Sequence, residues 1–170
     1  MKKKLNLIIA DDHSLFTEGL RSLLQKEEDM TVIAVAGDGR ELLDILHDEK
    51  PDVILMDINM PELNGIEATR YVNQMTRDIK IIILSTYNED HLIEKAKQNG
   101  ANGYLLKNSS REDLLQTIRL VAQGQSSFPY RLPKISDLFS ENDSFLKQFN
   151  ITSREVEILH YIKSGFTNQQ

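Results

Sequence analysis

The sequence contains no cysteine. That excludes a disulfide framework, a thiol nucleophile and any cysteine-ligated metal site, and it fits a reducing compartment. A long apolar run is missing as well. The start Met1-Lys2-Lys3-Lys4 followed by Leu5 to Ala10 has the outline of a secretory signal, but the apolar stretch contains Asn6 and stops at Asp11 and Asp12. It is too short for a signal core or a membrane span, so a soluble cytoplasmic protein without membrane attachment is expected. No basic patch offsets the net charge of −6. The five acidic and five basic residues after position 123 cancel, which leaves the whole imbalance in the first part of the chain. Nucleic-acid binding by this chain is therefore not expected on charge grounds. Gly37-Asp38-Gly39 is only a fragment of a glycine-rich phosphate cradle, and His13, His47, His91 and His160 are too scattered for a transition-metal cluster.

What is present is a repeated pattern of apolar runs that end in a polar group. Leu7-Ile8-Ile9-Ala10 ends at Asp11 and Asp12, and Val53-Ile54-Leu55-Met56 ends at Asp57. Ile81-Ile82-Ile83-Leu84 ends at Ser85, and Tyr104-Leu105-Leu106 ends at Lys107. Continuous Val/Ile/Leu runs point to strands covered on both faces, as in a parallel sheet. Helical periodicity alternates with them: Leu15, Phe16, Gly19, Leu20, Leu23 and Leu24 share one face; Leu42, Leu43, Ile45 and Leu46 mark a second helix; Ile66, Tyr71, Val72 and Met75 mark a third. Leu92, Ile93 and Ala96 give a short fourth helix, and Leu114, Leu115, Ile118, Val121 and Ala122 a fifth. Phe16, Leu24 and Tyr71 are expected in the core, and His13 at the cap or solvent face of the first helix.

With the β-branched, apolar Met30 to Ala36 as the second strand, five β-α units with right-handed crossovers predict an α/β fold of the flavodoxin-like (βα)5 type, a doubly wound parallel sheet with strand order 2-1-3-4-5. That order puts strands one and three side by side, so Asp11, Asp12 and Asp57 become neighbours at the carboxyl edge. Three crowded carboxylates need a cation, and oxygen-only ligands favour Mg²⁺. Lys107 supplies a point charge for a phosphoryl oxygen, Ser85 a donor, and Asp57 a carboxylate nucleophile. Any one of these residues alone would more often be a cap or a turn residue. Their conjunction at four strand ends of five argues for a phosphate-handling site.

Residues 1–123 thus form one domain. Gly124, Ser126, Ser127, Pro129 and Pro133 interrupt the periodicity, and 124–148 is read as a linker. Residues 149–170 open a third segment. Thr152 to Glu155 is a capping box with Ile151 and Val156 as its hydrophobic staple, which predicts a helix from Ser153 to Ser164 stopped by Gly165. Thr167 and Gln170 repeat the cap pattern, so a second helix is expected to begin where the sequence stops.

Four stretches carry a resemblance: Ile9-Ala10-Asp11-Asp12-His13, Val53 to Pro61, Leu84-Ser85-Thr86 and Gly100 to Lys107. Together they resemble the receiver domain of two-component response regulators over residues 5–123. The resemblance implies that Asp57 accepts a phosphoryl group from a partner sensor histidine kinase. It also implies that Asp12, Asp57 and the Asn59 backbone carbonyl bind Mg²⁺ with help from Asp11, and that Ser85 and Tyr104 form a switch pair, the ring following the hydroxyl inward on phosphorylation. Such a receiver is not an enzyme in the ordinary sense, although it catalyses its own phosphorylation and slow dephosphorylation. Asn59 and Tyr87 occupy positions that tune phosphoryl lifetime in the family.

The Ala-Asp-Asp-His and Gly-Tyr-Leu-Leu-Lys forms are similar to the NarL/FixJ branch, whose output is a LuxR-type helix-turn-helix. Ile151 to Leu159 and Gly165 to Gln169 resemble the opening of that module. Its recognition helix is expected beyond Gln170, so DNA is expected as a partner of the full-length protein only, bound as a homodimer on two half-sites. Ser85 replaces the more usual threonine, and Asn64 stands where aspartate is frequent. Two other readings compete. One is a Mg²⁺-dependent phosphatase acting through an aspartyl-phosphate, which wants a second acid where Asn59 stands. The other is a flavodoxin-like module for a nucleotide or flavin.

Overall fold

The computed structural model describes residues 4–129, which lie within the first of two compact units, Met1–Pro129. The remainder of the expected linker and the segment 149–170, with its capping boxes, lie outside the described residues. Five strands alternate with five helices: β1 Leu5–Ala10, α1 Ser14–Leu24, β2 Met30–Ala36, α2 Gly39–Asp48, β3 Val53–Asp57, α3 Gly65–Met75, β4 Lys80–Ser85, α4 Asp90–Gln98, β5 Gly103–Leu106 and α5 Arg111–Ala122. The strands form one sheet in the order β2-β1-β3-β4-β5, and every pairing is parallel. Both the order and the unit count match the sequence expectation.

Burial decides why the apolar runs are strands. Alternate residues of each run enter opposite layers, so no residue of Leu7-Ile8-Ile9-Ala10 or of Val53 to Met56 reaches solvent. Full burial of such a side chain stabilises by about 1.5–3 kcal/mol, more than the ~1 kcal/mol span of strand propensity. One layer joins Ile8, Ile54, Met56, Ile81 and Ile83 to Leu42 of α2, Ile66 and Val72 of α3, and Ile93 of α4. The other joins Leu7, Ile9, Leu55, Ile82 and Leu84 to Leu20 and Leu24 of α1 and to Leu114, Ile118 and Val121 of α5.

Helix starts follow local chemistry. The Asp38 carboxylate accepts from the N–H groups of Arg40 and Glu41, and Glu41 reaches back to accept from the Gly37 N–H at 2.6 Å. Asn64 caps α3 through the Glu67 N–H, and Ser110 caps α5 through the Asp113 N–H. At α1 the cap position belongs to His13, whose side chain makes no capping bond.

One core expectation fails, since Tyr71 is 41% exposed, and Leu15, read on the apolar face of the first helix, is 84% exposed. Both sit at the margin of their helix's apolar stripe, where a 3.6-residue period fixes the direction of a face but not its width. The Arg70 guanidinium covers the Tyr71 ring at 5.1 Å, which supplies a contact that does not require burial. The segment read as the start of a linker is also not free of the domain. Ser127 forms a parallel bridge to Gly103, and Phe128 packs against the layer shared by α2, α3 and α4. No helix among the described residues is long and apolar enough to cross a membrane.

Candidate phosphoacceptor site

The parallel topology brings the polar strand ends to one edge. Asp11 follows β1, anchored by its N–H to the Ala36 carbonyl at 2.9 Å. Asp57 is the last residue of β3 and pairs with Leu84, one residue before Ser85. Lys107 follows β5, its N–H bonded to the Ser85 carbonyl at 2.8 Å. Ligand atoms of Asp11, Asp12, His13 and Asp57 all lie within 4.8 Å of one another.

Asp11 and Asp57 are each 3% exposed, whereas Asp12 and His13 face solvent. The Lys107 ammonium lies 2.7 Å from Asp11 Oδ2 and 3.0 Å from Asp57 Oδ2. These two oxygens are buried, and the Lys107 ammonium beside both offsets part of their desolvation. Burial pushes the Asp57 carboxyl above its ordinary value, and the Asp11 charge adds to that push. The Lys107 ammonium and the Asn59 backbone N–H act against it. One ammonium among three carboxylates leaves an excess of negative charge, and the donors are hard oxygens, so the residues present fit a small divalent cation such as Mg²⁺.

Two residues join this group while keeping their expected places, His13 at the exposed cap position of α1 and Phe16 against the core. His13 Nδ1 lies 3.0 Å from Asp11 Oδ1 and 2.9 Å from Asp12 Oδ1. Carboxylates only accept, so Nδ1 carries the proton in this arrangement. Its adjacency to the Asp-Asp pair was the available signal. Phe16, expected simply in the core, places its ring 4.9 Å from the Lys107 ammonium and steadies it by a cation–π contact.

Ser85 and Tyr104, the two residues expected as a switch pair, are both buried. Tyr104 is 2% exposed, and its hydroxyl donates to the Tyr87 carbonyl at 2.7 Å. The Tyr87 N–H in turn donates to Ser85 Oγ at 3.0 Å. Burial and the charge of Glu89 raise the Tyr104 phenol, and a hydrogen bond from Ser85 partly opposes them. The ring therefore already lies inside. Asn59, whose carbonyl was expected as a ligand, is exposed at the cleft.

The close approach of α3 completes the geometry. A Cβ at Gly65 would lie 1.8 Å from the Asp57 carbonyl oxygen, so only glycine lets the helix start this close to the end of β3. The Gly65 N–H donates to the Ile58 carbonyl at 2.9 Å, and Glu62 takes the left-handed conformation (φ 56°) in the connecting loop.

A doubly wound sheet with three carboxylates, a lysine and a hydroxyl at its carboxyl edge defines a class, and comparison with known proteins agrees. Residues 7–119 match the response regulator receiver domain. The chain belongs to that family and is a response regulator of two-component signalling, of the kind whose output is transcriptional.

Among curated relatives it is similar to the transcriptional regulatory protein DegU of Brevibacillus brevis, 34% identical over 99% of this chain and 78% of that protein. It is also similar to the oxygen regulatory protein NreC of Staphylococcus haemolyticus, 35% identical over 97% of this chain and 80% of that protein. Of solved structures, the receiver domain of the response regulator NarL from Mycobacterium tuberculosis superposes with a TM-score of 0.70 at 30% identity. It covers 72% of this chain and 99% of its own. The phosphatase and flavin-module readings are not favoured by any of these matches.

Proposed function

We propose that Asp57 is the phosphoacceptor of this receiver and that its donor is the phosphohistidine of a sensor kinase. The observation that carries the proposal is the buried Asp57 Oδ2 at the end of β3, which lies 3.0 Å from the Lys107 ammonium. An Asp57 carboxylate oxygen attacks phosphorus, the P–N bond breaks, and the imidazole leaves neutral because its other nitrogen holds a proton. The Lys107 ammonium then follows the transferred group, since the carboxyl of phosphorylated Asp57 no longer carries its own charge. A cleft of about 390 Å³ lined by His13, Phe16, Thr86, Lys107 and Asn108 offers the donor an approach.

Asp11, Asp12 and Asp57, with the Asn59 carbonyl, would hold Mg²⁺. Bound there, the ion supplies charge neutralisation for the carboxylates and the phosphoryl oxygens. Positioning does the rest: β1, β3 and β5 hold the acids and the lysine before the donor arrives. Because Tyr104 is already buried, phosphorylation acts by holding an existing conformer through Ser85 rather than by creating a new one. Asp57 has no acid two residues on, so slow loss of the phosphoryl group is expected rather than turnover on phosphate esters.

The full-length protein is proposed to control transcription through a LuxR-type output that reads DNA as a dimer, with residues 1–123 as receiver, 124–148 as linker and 149–170 as the beginning of the output domain, in the cytoplasm. The test is incubation with Mg²⁺ and a small phosphoryl donor such as acetyl phosphate, followed by intact mass. A gain of one phosphoryl group, lost in Asp57→Ala, is expected. No gain, or a gain that survives the substitution, overturns the reading.

A further inference from the structure

The carboxyl-edge site accounts for Asp11, Asp12, Asp57, Ser85 and Lys107. It leaves unexplained why the chain after α5, rich in glycine, serine and proline, turns back onto β5. Ser127 accepts from the Tyr104 N–H and donates to the Asn102 carbonyl, both at 2.9 Å, in a parallel bridge opposite Gly103. A Cβ at Gly103 would lie 3.0 Å from the Ser127 carbonyl oxygen, 3.3 Å from Val121 and 3.4 Å from Ile82, so the glycine keeps room for this approach. Phe128 then packs on the layer that contains Tyr104, Ile93 and Ala96, under the Lys97 ammonium of α4 at 4.9 Å. Tyr104 and Phe128 both line a cleft of about 370 Å³ between β5 and α5.

We propose that residues 127–129 are a latch whose closure and the inward position of Tyr104 are one two-state element. The tyrosine is gripped at both ends, its backbone N–H by Ser127 and its hydroxyl by the Tyr87 carbonyl. Tyr87 is bonded to Ser85, so hydrogen bonds link the phosphoacceptor edge to the residues that follow α5. When the latch lifts, the Tyr104 N–H loses its acceptor and the Phe128 cover leaves the tyrosine's layer. When the tyrosine swings out, Phe128 loses the buried ring in the layer it covers, and the segment that carries Ser127 is held by its backbone bonds alone. Any ligand that favours the buried tyrosine therefore tightens the latch, and by linkage the latch strengthens that ligand by the same factor. This last step rests on the phosphoacceptor reading, whereas the coupling of tyrosine and latch does not.

The experiment uses the whole chain. Tyr104→Phe removes only the hydroxyl bond, and Phe128→Ala removes only the cover. Hydrogen exchange of the Ser127 amide is followed by NMR, and the Tyr104 ring by the fluorine resonance of 3-fluorotyrosine, assigned by its loss in Tyr104→Phe. Tyr104→Phe is expected to speed Ser127 exchange roughly fivefold or more, and Phe128→Ala to move the Tyr104 resonance toward that of an exposed tyrosine. Unchanged exchange or an unmoved resonance, in variants whose other amides keep their protection, overturns the latch. Mg²⁺ with beryllofluoride is expected to slow Ser127 exchange in the native chain. Bound fluoride with exchange unaltered sinks the coupling to the site. Absence of any bound-fluoride resonance would instead count against Asp57 as acceptor, while the two variants still decide the latch.

Discussion

Lys107 Nζ lies 3.0 Å from Asp57 Oδ2 and is shared with Asp11 at 2.7 Å, so one side chain supplies the cation nearest two buried carboxylates. Lys107→Met is expected to leave both acids uncompensated and to lower stability in metal-free buffer by about 3 kcal/mol. Mg²⁺ should recover part of that loss and bind the variant more tightly than the native chain, because the competing ammonium is gone. Urea denaturation with and without Mg²⁺ measures both effects.

The Asp57 carboxyl is held above its ordinary value by burial, so the folded protein keeps that proton to higher pH than the unfolded chain does. The associated stability is fully present below the unfolded value of 3.8 and is lost as pH rises through the folded value. At neutral pH the ionised carboxylate is thus a destabilising group. Asp57→Asn should raise the urea midpoint at pH 7.5 in metal-free buffer, and that gain over the native chain should vanish in acid. An equal gain at both pH values would contradict it.

Gly65→Ala puts a methyl group where the Asp57 carbonyl stands, 1.8 Å away. The start of α3 has to shift, at a cost of roughly 1–3 kcal/mol as for other overpacked sites. Because the atom that is struck belongs to Asp57, phosphoryl uptake from acetyl phosphate should fall along with stability. A destabilised variant that takes up phosphate at the native rate would show that the end of β3 is less constrained than its contacts imply.

Asn64→Ala separates the helix cap from the chemistry. Loss of the bond from the Glu67 N–H to Asn64 Oδ1 is expected to cost about 1 kcal/mol in thermal or urea unfolding. Mg²⁺ affinity should stay within a factor of about two, since the Asn64 side chain bonds to Glu67. Asn64→Asp should restore the cap.

The fold and the acidic edge were legible because both are written in long-range regularities. A run such as Ile81-Ile82-Ile83-Leu84 has one use in a chain of this size, a strand covered on both sides, and polar residues that end four such runs must share an edge. What was not legible depends on the width and ends of elements. Tyr71 and Leu15 follow the helical period and still face solvent, because the period does not say where a stripe stops. Phe16 was expected simply as filling for the core, yet its ring faces Lys107, a contact made by a residue from a different unit of the fold. Ser127 and Phe128 were expected in a linker, since glycine, serine and proline break periodicity whether the chain leaves the domain or returns to it. Only the space left by Gly103 distinguishes the two.

The Ser127 bridge has a consequence for the company the sheet can keep. An open sheet has two outer edges, each a row of unpaired amides on which a foreign strand can grow. On the β5 side the Tyr104 N–H and the Asn102 carbonyl are already spoken for by the protein's own following residues. The chain thereby blunts its own template for strand addition, and a protease that trimmed it back to α5 would expose a sticky border.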